Sequence, residues 1–167
     1  MTKTKHDIFL TMAKEYSNFS KCTFTKVGAI AINENDRIVA TGVNGTIPGE
    51  ENCCDHHFGT REDHVQYTLE NEIHAEENVI LELAVSSVTY KVLSIYVTLS
   101  PCEVCLKHLL GLTRRSNHNK IQIDMIVFGQ KYHRTTDEQL LAMKQKALRV
   151  GTKLLSIEEA NKLEQEQ

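Results

Sequence analysis

The chain has 167 residues, 41% of them hydrophobic and 25% charged, with a formal net charge of −3. That length suits one well-buried domain and is short for two, and the composition is that of a globular protein. The mild negative charge argues against a surface built to hold long nucleic acid, which needs a basic stripe. No stretch approaches the apolar length of a membrane span, and the first residues lack the apolar run of a signal peptide, so a cytoplasmic protein is expected.

Along the chain, residues 7–19 place Ile8, Met12, Ala13 and Tyr16 at helical spacing, which predicts an amphipathic first helix. Residues 27–32 and 37–41 are rich in β-branched side chains and are separated by a polar tetrad, which predicts a hairpin. Residues 42–71 carry Asn44-Gly45, Pro48-Gly49, the pair Cys53-Cys54 and several histidines with little periodicity, and read as one long loop with at most a short helix. The helical pattern returns over 72–85, with Ile73, Val79, Ile80, Leu83 and Ala84 on one side. A continuous apolar strand is predicted over 93–99, a helix from Pro101 through 112, a buried strand over 121–128, a helix over 137–149 and a short strand over 151–155 before a helical polar tail. Helix, hairpin, then alternating helix and strand predicts a single three-layer α/β/α domain around a mixed sheet, spanning residues 1–167.

Two segments carry chemistry: His74-Ala75-Glu76 and Pro101-Cys102-Glu103-Val104-Cys105. One imidazole and two thiolates suit zinc, and three protein ligands leave a fourth tetrahedral position open for water. An HxE followed by PCxxC is the arrangement of zinc-dependent nucleobase deaminases, in which the carboxylate moves protons and does not bind the metal. His74, Cys102 and Cys105 are therefore the candidate zinc ligands and Glu76 the candidate general acid and base. Each half of the motif begins a predicted helix, so two helix N-termini are expected to converge on the ion. Two other readings use the same residues: a CxxC after a strand is also a thioredoxin-like redox motif, and a fourth protein ligand would make the site purely structural. The five cysteines, an odd number, favour metal ligation over a disulfide framework.

With Gly42-Val43-Asn44-Gly45-Thr46-Ile47-Pro48-Gly49, Asn71-Glu72-Ile73-His74-Ala75-Glu76-Glu77-Asn78, Tyr96-Val97-Thr98-Leu99-Ser100-Pro101-Cys102 and Lys131-Tyr132-His133, the chain resembles the deoxycytidylate deaminases. The resemblance runs from about Lys26 to Tyr132 and implies a cytidine-deaminase-like fold and hydrolysis of dCMP to dUMP with release of ammonia. It implies that Asn44 hydrogen-bonds the deoxyribose, that the Ala75 N–H and the Ser100 carbonyl read the pyrimidine edge, and that Tyr132 lies near the substrate phosphate. It further implies a hexamer activated by dCTP with magnesium and inhibited by dTTP, with Gly45, Thr46, Pro48 and Gly49 as the effector loop. Glycines there would let backbone N–H groups approach a triphosphate closely, although a plain turn leaving the hairpin uses the same residues.

Phage members of that family hold a second, structural zinc through two cysteines, a histidine and a glutamate, a pattern that Cys22, Cys53, His64 and Glu72 fit. Cys54, His56 and His57 are alternative donors, and ordinary buried cysteines with solvated histidines are the plain reading. Residues 114–120 are longer and more basic than the family connection, which suits either a phosphate contact across a subunit interface or a solvated loop. A deaminase of RNA or single-stranded DNA would need a basic, aromatic face; the absence of tryptophan and an aromatic fraction of 6% speak against it. A non-catalytic, zinc-stabilised assembly module is the reading from another class.

Overall fold

In the computed structural model, residues 3–86, 91–115 and 121–166 are described. The elements are α1 (Lys5–Tyr16), β1 (Gly28–Asn33), β2 (Ile38–Val43), β3 (Gly45–Thr46), α2 (Arg61–Asn71), β4 (Glu72–Ile73), α3 (Ala75–Val85), β5 (Val92–Leu99), α4 (Glu103–Arg115), β6 (Gln122–Gln130), α5 (Asp137–Leu148), β7 (Lys153–Ser156) and α6 (Ile157–Gln165). Single 3-10 turns occupy Ser17–Phe19 and Cys53–Asp55.

Strand period fixes the layers. Along β1, Ala29 and Ala31 face one core while Ile30 and Ile32 face another. In β5, Leu93, Ile95 and Val97 go one way and Tyr96 the other; in β6, Ile126 and Phe128 oppose Val127. The first core is closed by α3, α4 and α5 through Val79, Leu83, Leu106, Leu109 and Met143, and the second by α1 and α6 through Phe9, Ala13 and Ala160. The sheet runs β2-β1-β5-β6-β7, antiparallel across β2-β1-β5 and parallel across β5-β6-β7. This is the mixed three-layer α/β/α architecture the alternation predicts.

Local chemistry sets the boundaries. Thr4 caps α1 by accepting from Asp7 N at 3.1 Å while Asp7 returns an acceptor to Thr4 N at 3.0 Å, and Thr60, Thr136 and Ser156 cap α2, α5 and α6 in the same way. In the turn between β1 and β2, Asn33 Oδ1 accepts from the N–H of Asn35 and Arg37, and Asp36 takes the left-handed conformation at φ 56°. Gly42 on β2 permits close approach to a helix: a Cβ there would stand 2.1 Å from Ala75 O and 2.9 Å from Val79 N. The start of α3 thus rests directly on backbone.

Two expectations change. The long loop over 42–71 contains an eleven-residue helix, α2, and the short strand β3. Helix α2 escaped the periodicity test because the residue it buries is His64 rather than an apolar stripe; the Thr60/Asp63 capping box was its readable signal. The predicted helix over 72–85 begins later, because Glu72 and Ile73 pair as β4 with Thr46 and Gly45. Helix α3 then starts at Ala75 with His74 as its N-cap residue. The segment 116–120 lies outside the described residues, as do the side chains of Arg114 and Arg115, so the basic connection belongs to the sequence alone.

Candidate functional site

Strand β5 ends at Leu99, and Ser100 and Pro101 lead into α4, whose first turn carries Cys105 one turn beyond Cys102. Helices α3 and α4 pack together, so the two motif halves meet at their N-terminal ends. His74 Nδ1 lies 3.7 Å from Cys102 Sγ and 3.2 Å from Cys105 Sγ, and both cysteines are free thiols. Around a tetrahedral zinc with ordinary bond lengths, a ring nitrogen and a sulfur would stand about 3.6 Å apart. The donors therefore match the edges of a zinc tetrahedron in both identity and separation. The Cys102 thiol is pulled down to about 3, chiefly by its hydrogen bond from Cys105 and further by His74. His74 is pushed up to about 9 chiefly by its bond to Cys102, and the Cys105 thiol is raised by the bond to Cys102 and by burial. The three donors thus share protons around a single thiolate, and a divalent cation bound there would displace those protons.

Glu76, 4% exposed in the first turn of α3, lines the pocket beside this trio. Burial pushes its carboxyl up to about 7, against the opposing pull of His74. The sequence reading passed over Glu77. One of its oxygens accepts from His74 N at 3.3 Å and the other meets His108 Nδ1 on α4 at 3.2 Å, so it ties the cap of α3 to the helix carrying Cys105. The H-x-x-E spacing of a capping box was the available signal.

A cavity of about 570 Å³ opens above the trio, within the size range of small-molecule sites. Asn44, Ala75, Ser100 and Tyr132 all line it. Asn44 is 7% exposed and its amide is held on four sides: Oδ1 accepts from Ser20 Oγ at 2.9 Å and Val27 N at 2.8 Å, while Nδ2 donates to Thr25 O at 2.9 Å and Glu72 Oε2 at 3.3 Å. The Tyr132 N–H donates to Ser100 Oγ at 2.9 Å, and the Ser100 N–H donates to Gln130 O at 2.7 Å, so the end of β6 is fastened two residues before Cys102.

Three of the four residues predicted for a second cluster come together. Cys22, Cys53 and His64 are all buried, with Cys22 Sγ 3.6 Å from His64 Nε2 and 4.0 Å from Cys53 Sγ. Glu72 adjoins both sulfurs: burial raises its carboxyl, while hydrogen bonds from Asn44, Cys22 and Cys53 draw it back. Its Oε1 is buried without a hydrogen-bond partner of good geometry, which leaves an oxygen free for a cation. Cys22, Cys53 and His64 place two sulfurs and a ring nitrogen within reach of one ion, whereas Glu72 stands beside the sulfurs but outside that three-donor group. Of the alternative donors, Cys54 is exposed and His56 pairs with Glu51 at 3.2 Å.

In the candidate effector loop, Gly45 and Thr46 form β3 opposite Ile73 and Glu72, directly before His74. Pro48 and Gly49 make a turn closed by Glu50 N donating to Ile47 O at 3.0 Å, with Gly49 at φ +100°.

A family model described as the cytidine and deoxycytidylate deaminase zinc-binding region matches residues 3–116. Deoxycytidylate deaminase of Enterobacteria phage T4 is 34% identical, over 62% of this chain and 70% of the phage protein. A probable deoxycytidylate deaminase of Caenorhabditis elegans is 33% identical, over 64% of this chain and 52% of the worm protein. Among solved structures, dCMP deaminase from the cyanophage S-TIM5 in complex with dCMP and dUMP superposes with a TM-score of 0.69 and 25% identity, covering 93% of this chain and 98% of the other.

Proposed function

Because the chain belongs to the family of zinc-binding cytidine and deoxycytidylate deaminases, and is thereby a hydrolytic deaminase, we propose that it converts dCMP and water to dUMP and ammonia. The observation that carries this reading is a three-donor centre, His74, Cys102 and Cys105, opening into a pocket beside the buried carboxyl of Glu76. A zinc ion held there supplies Lewis-acid activation of water at neutral pH. Glu76 takes the proton of the attacking water, delivers it to the ring nitrogen, and serves again as the amino group departs as ammonia. The Ala75 N–H and the Ser100 carbonyl orient the pyrimidine, Asn44 lies on the sugar side and Tyr132 toward the phosphate. Burial of Glu76 keeps bulk water from competing for its proton.

The finer proposals rest on the same membership. Cys22, Cys53, His64 and Glu72 hold a second, structural zinc; the free Glu72 oxygen supports this. The chain works as one cytoplasmic domain assembled into hexamers. Among the described residues no helix is long and apolar enough to cross a membrane. dCTP with magnesium activates and dTTP inhibits through Gly45, Thr46, Pro48 and Gly49; the pairing of Gly45 with Ile73 gives that loop a covalently short route to His74.

One panel tests the reaction. Ammonia release is measured from dCMP, CMP, deoxycytidine and a single-stranded oligonucleotide, each with and without dCTP or dTTP. Release from dCMP above all is expected; a zinc-loaded protein that leaves dCMP untouched would refute the proposal. A dCMP rate curve unmoved by both triphosphates would remove the effector loop and leave the reaction standing.

A further inference from the structure

Asn44 belongs to two places at once. The cavity above the trio is lined by Asn44 and also by Cys22, His64 and Glu72, so the second donor group borders the space a nucleotide enters. Two hydrogen-bond routes join that group to the Asn44 amide. On the oxygen side, Cys22 N donates to Ser20 Oγ at 3.2 Å, and Ser20 Oγ donates to Asn44 Oδ1 at 2.9 Å. On the nitrogen side, Nδ2 donates to Glu72 Oε2 at 3.3 Å, and Glu72 adjoins the sulfurs of Cys22 and Cys53.

An amide side chain has two lone pairs on its oxygen and two hydrogens on its nitrogen. In Asn44 all of them are committed, to Ser20, Val27, Thr25 and Glu72. Val27 N requires an acceptor and Thr25 O a donor, so the amide cannot turn end for end. A ligand entering the cavity therefore finds no donor on Asn44 unless one bond yields. The bond to Glu72 is the longest, at 3.3 Å against 2.8 to 2.9 Å for the other three. Its acceptor also has a second use: Glu72 Oε1 is buried without a hydrogen-bond partner of good geometry, beside the three-donor group. An ion held tetrahedrally by Cys22, Cys53 and His64 keeps one position for another ligand, and a carboxylate oxygen is among zinc's ordinary ligands. Glu72 turning to that position gives up Asn44.

We propose that Glu72 is a two-position link: without an ion in the second group it holds an N–H of Asn44, and with one it turns to the ion and releases that N–H to the nucleotide in the cavity. The proposal rests on the nucleotide and second-zinc readings given above, and it makes the second ion a determinant of substrate affinity as well as of stability.

Calorimetry with dUMP compares wild type, Cys22→Ser and the double variant Cys22→Ser/Glu72→Ala, each loaded with zinc. Cys22→Ser keeps the catalytic ion alone, so Glu72 stays on Asn44 and dUMP affinity is expected to fall about fivefold, the worth of one neutral hydrogen bond. In the double variant the N–H is free without a second ion, and affinity should return to the wild-type value. Cys54→Ser, which alters an exposed thiol outside both donor groups, should change nothing. Zinc content and circular dichroism confirm that each variant folds. Wild type alone supplies a check that needs no variant: dUMP should tighten binding of the second zinc by the same factor, because such coupling is reciprocal. A double variant that binds dUMP no better than Cys22→Ser, or a second zinc indifferent to dUMP, would overturn the link. A protein that couples zinc to dUMP yet deaminates no cytosine nucleotide would refute the reaction and uphold the link. One that deaminates dCMP with equal dUMP affinity at one and two ions would do the reverse.

Discussion

Glu76 and Gln differ by one proton-accepting oxygen, so exchanging them isolates proton transfer from metal binding. In Glu76→Gln, kcat on dCMP is expected to fall by about 10³, the upper range for a lost general acid and base, with zinc content unchanged by metal analysis. Loss of zinc in that variant would instead make residue 76 part of the metal's support. At this scale the sequence is a good guide to ligands and a poor one to their supports. His74, Cys102 and Cys105 stand out because metal chemistry demands those atoms at short spacing. The contacts of Glu77 with His108 and of Asn44 with Ser20, Thr25, Val27 and Glu72 join residues far apart in the chain, so no local pattern announces them.

Among the elements, α1 carries a titratable weak point. His6 is 4% exposed, meets Tyr96 OH at 2.8 Å, and has its pKa lowered from 6.5 first by burial, with Glu164, Asp7 and Asp36 opposing and Lys5 adding to the effect. Because the folded value lies below the unfolded one, unfolding takes up a proton in the interval beneath 6.5. The His6 contribution is therefore full above pH 6.5 and is lost as the pH falls through that interval. Thermal melts between pH 7.5 and 5.5 should show Tm dropping, with a shallower drop in His6→Gln; identical slopes would count against it. The same helix was legible in the sequence but its inward face was not, since Ile8 and Met12 are exposed and Phe9 and Ala13 are buried in their place; the long buried strands were read correctly. Helix α2 was not, since periodicity reports apolar burial and α2 is anchored instead by His64 in the second cluster.

For the molecule as a whole, the alternation of elements implied three layers but not which strands adjoin. The β1 to β5 pairing, Ala29 opposite Val97 and Asn33 opposite Leu93, joins residues far apart in the chain, and only packing decides it. The second cluster acts at this scale too, because it ties the segment after α1 to the 3-10 turn at Cys53 and to the start of α2. Cys22→Ser should reduce zinc from two ions per chain to one and lower Tm by roughly 5–10 °C, as loss of a structural metal does to a domain of this size. Unchanged metal content and melting would refute a second ion. Finally, Gly42 leaves no clearance beneath Ala75, so the sheet works as a gauge block against which the active end of α3 is set. Gly42→Ala should lift that end and carry His74 and Glu76 with it, costing catalytic rate well before the fold is lost, and an activity assay beside a melting curve would show the two effects part company. The alignment of a proton carrier with its metal is here delegated to an absent methyl group on a neighbouring strand.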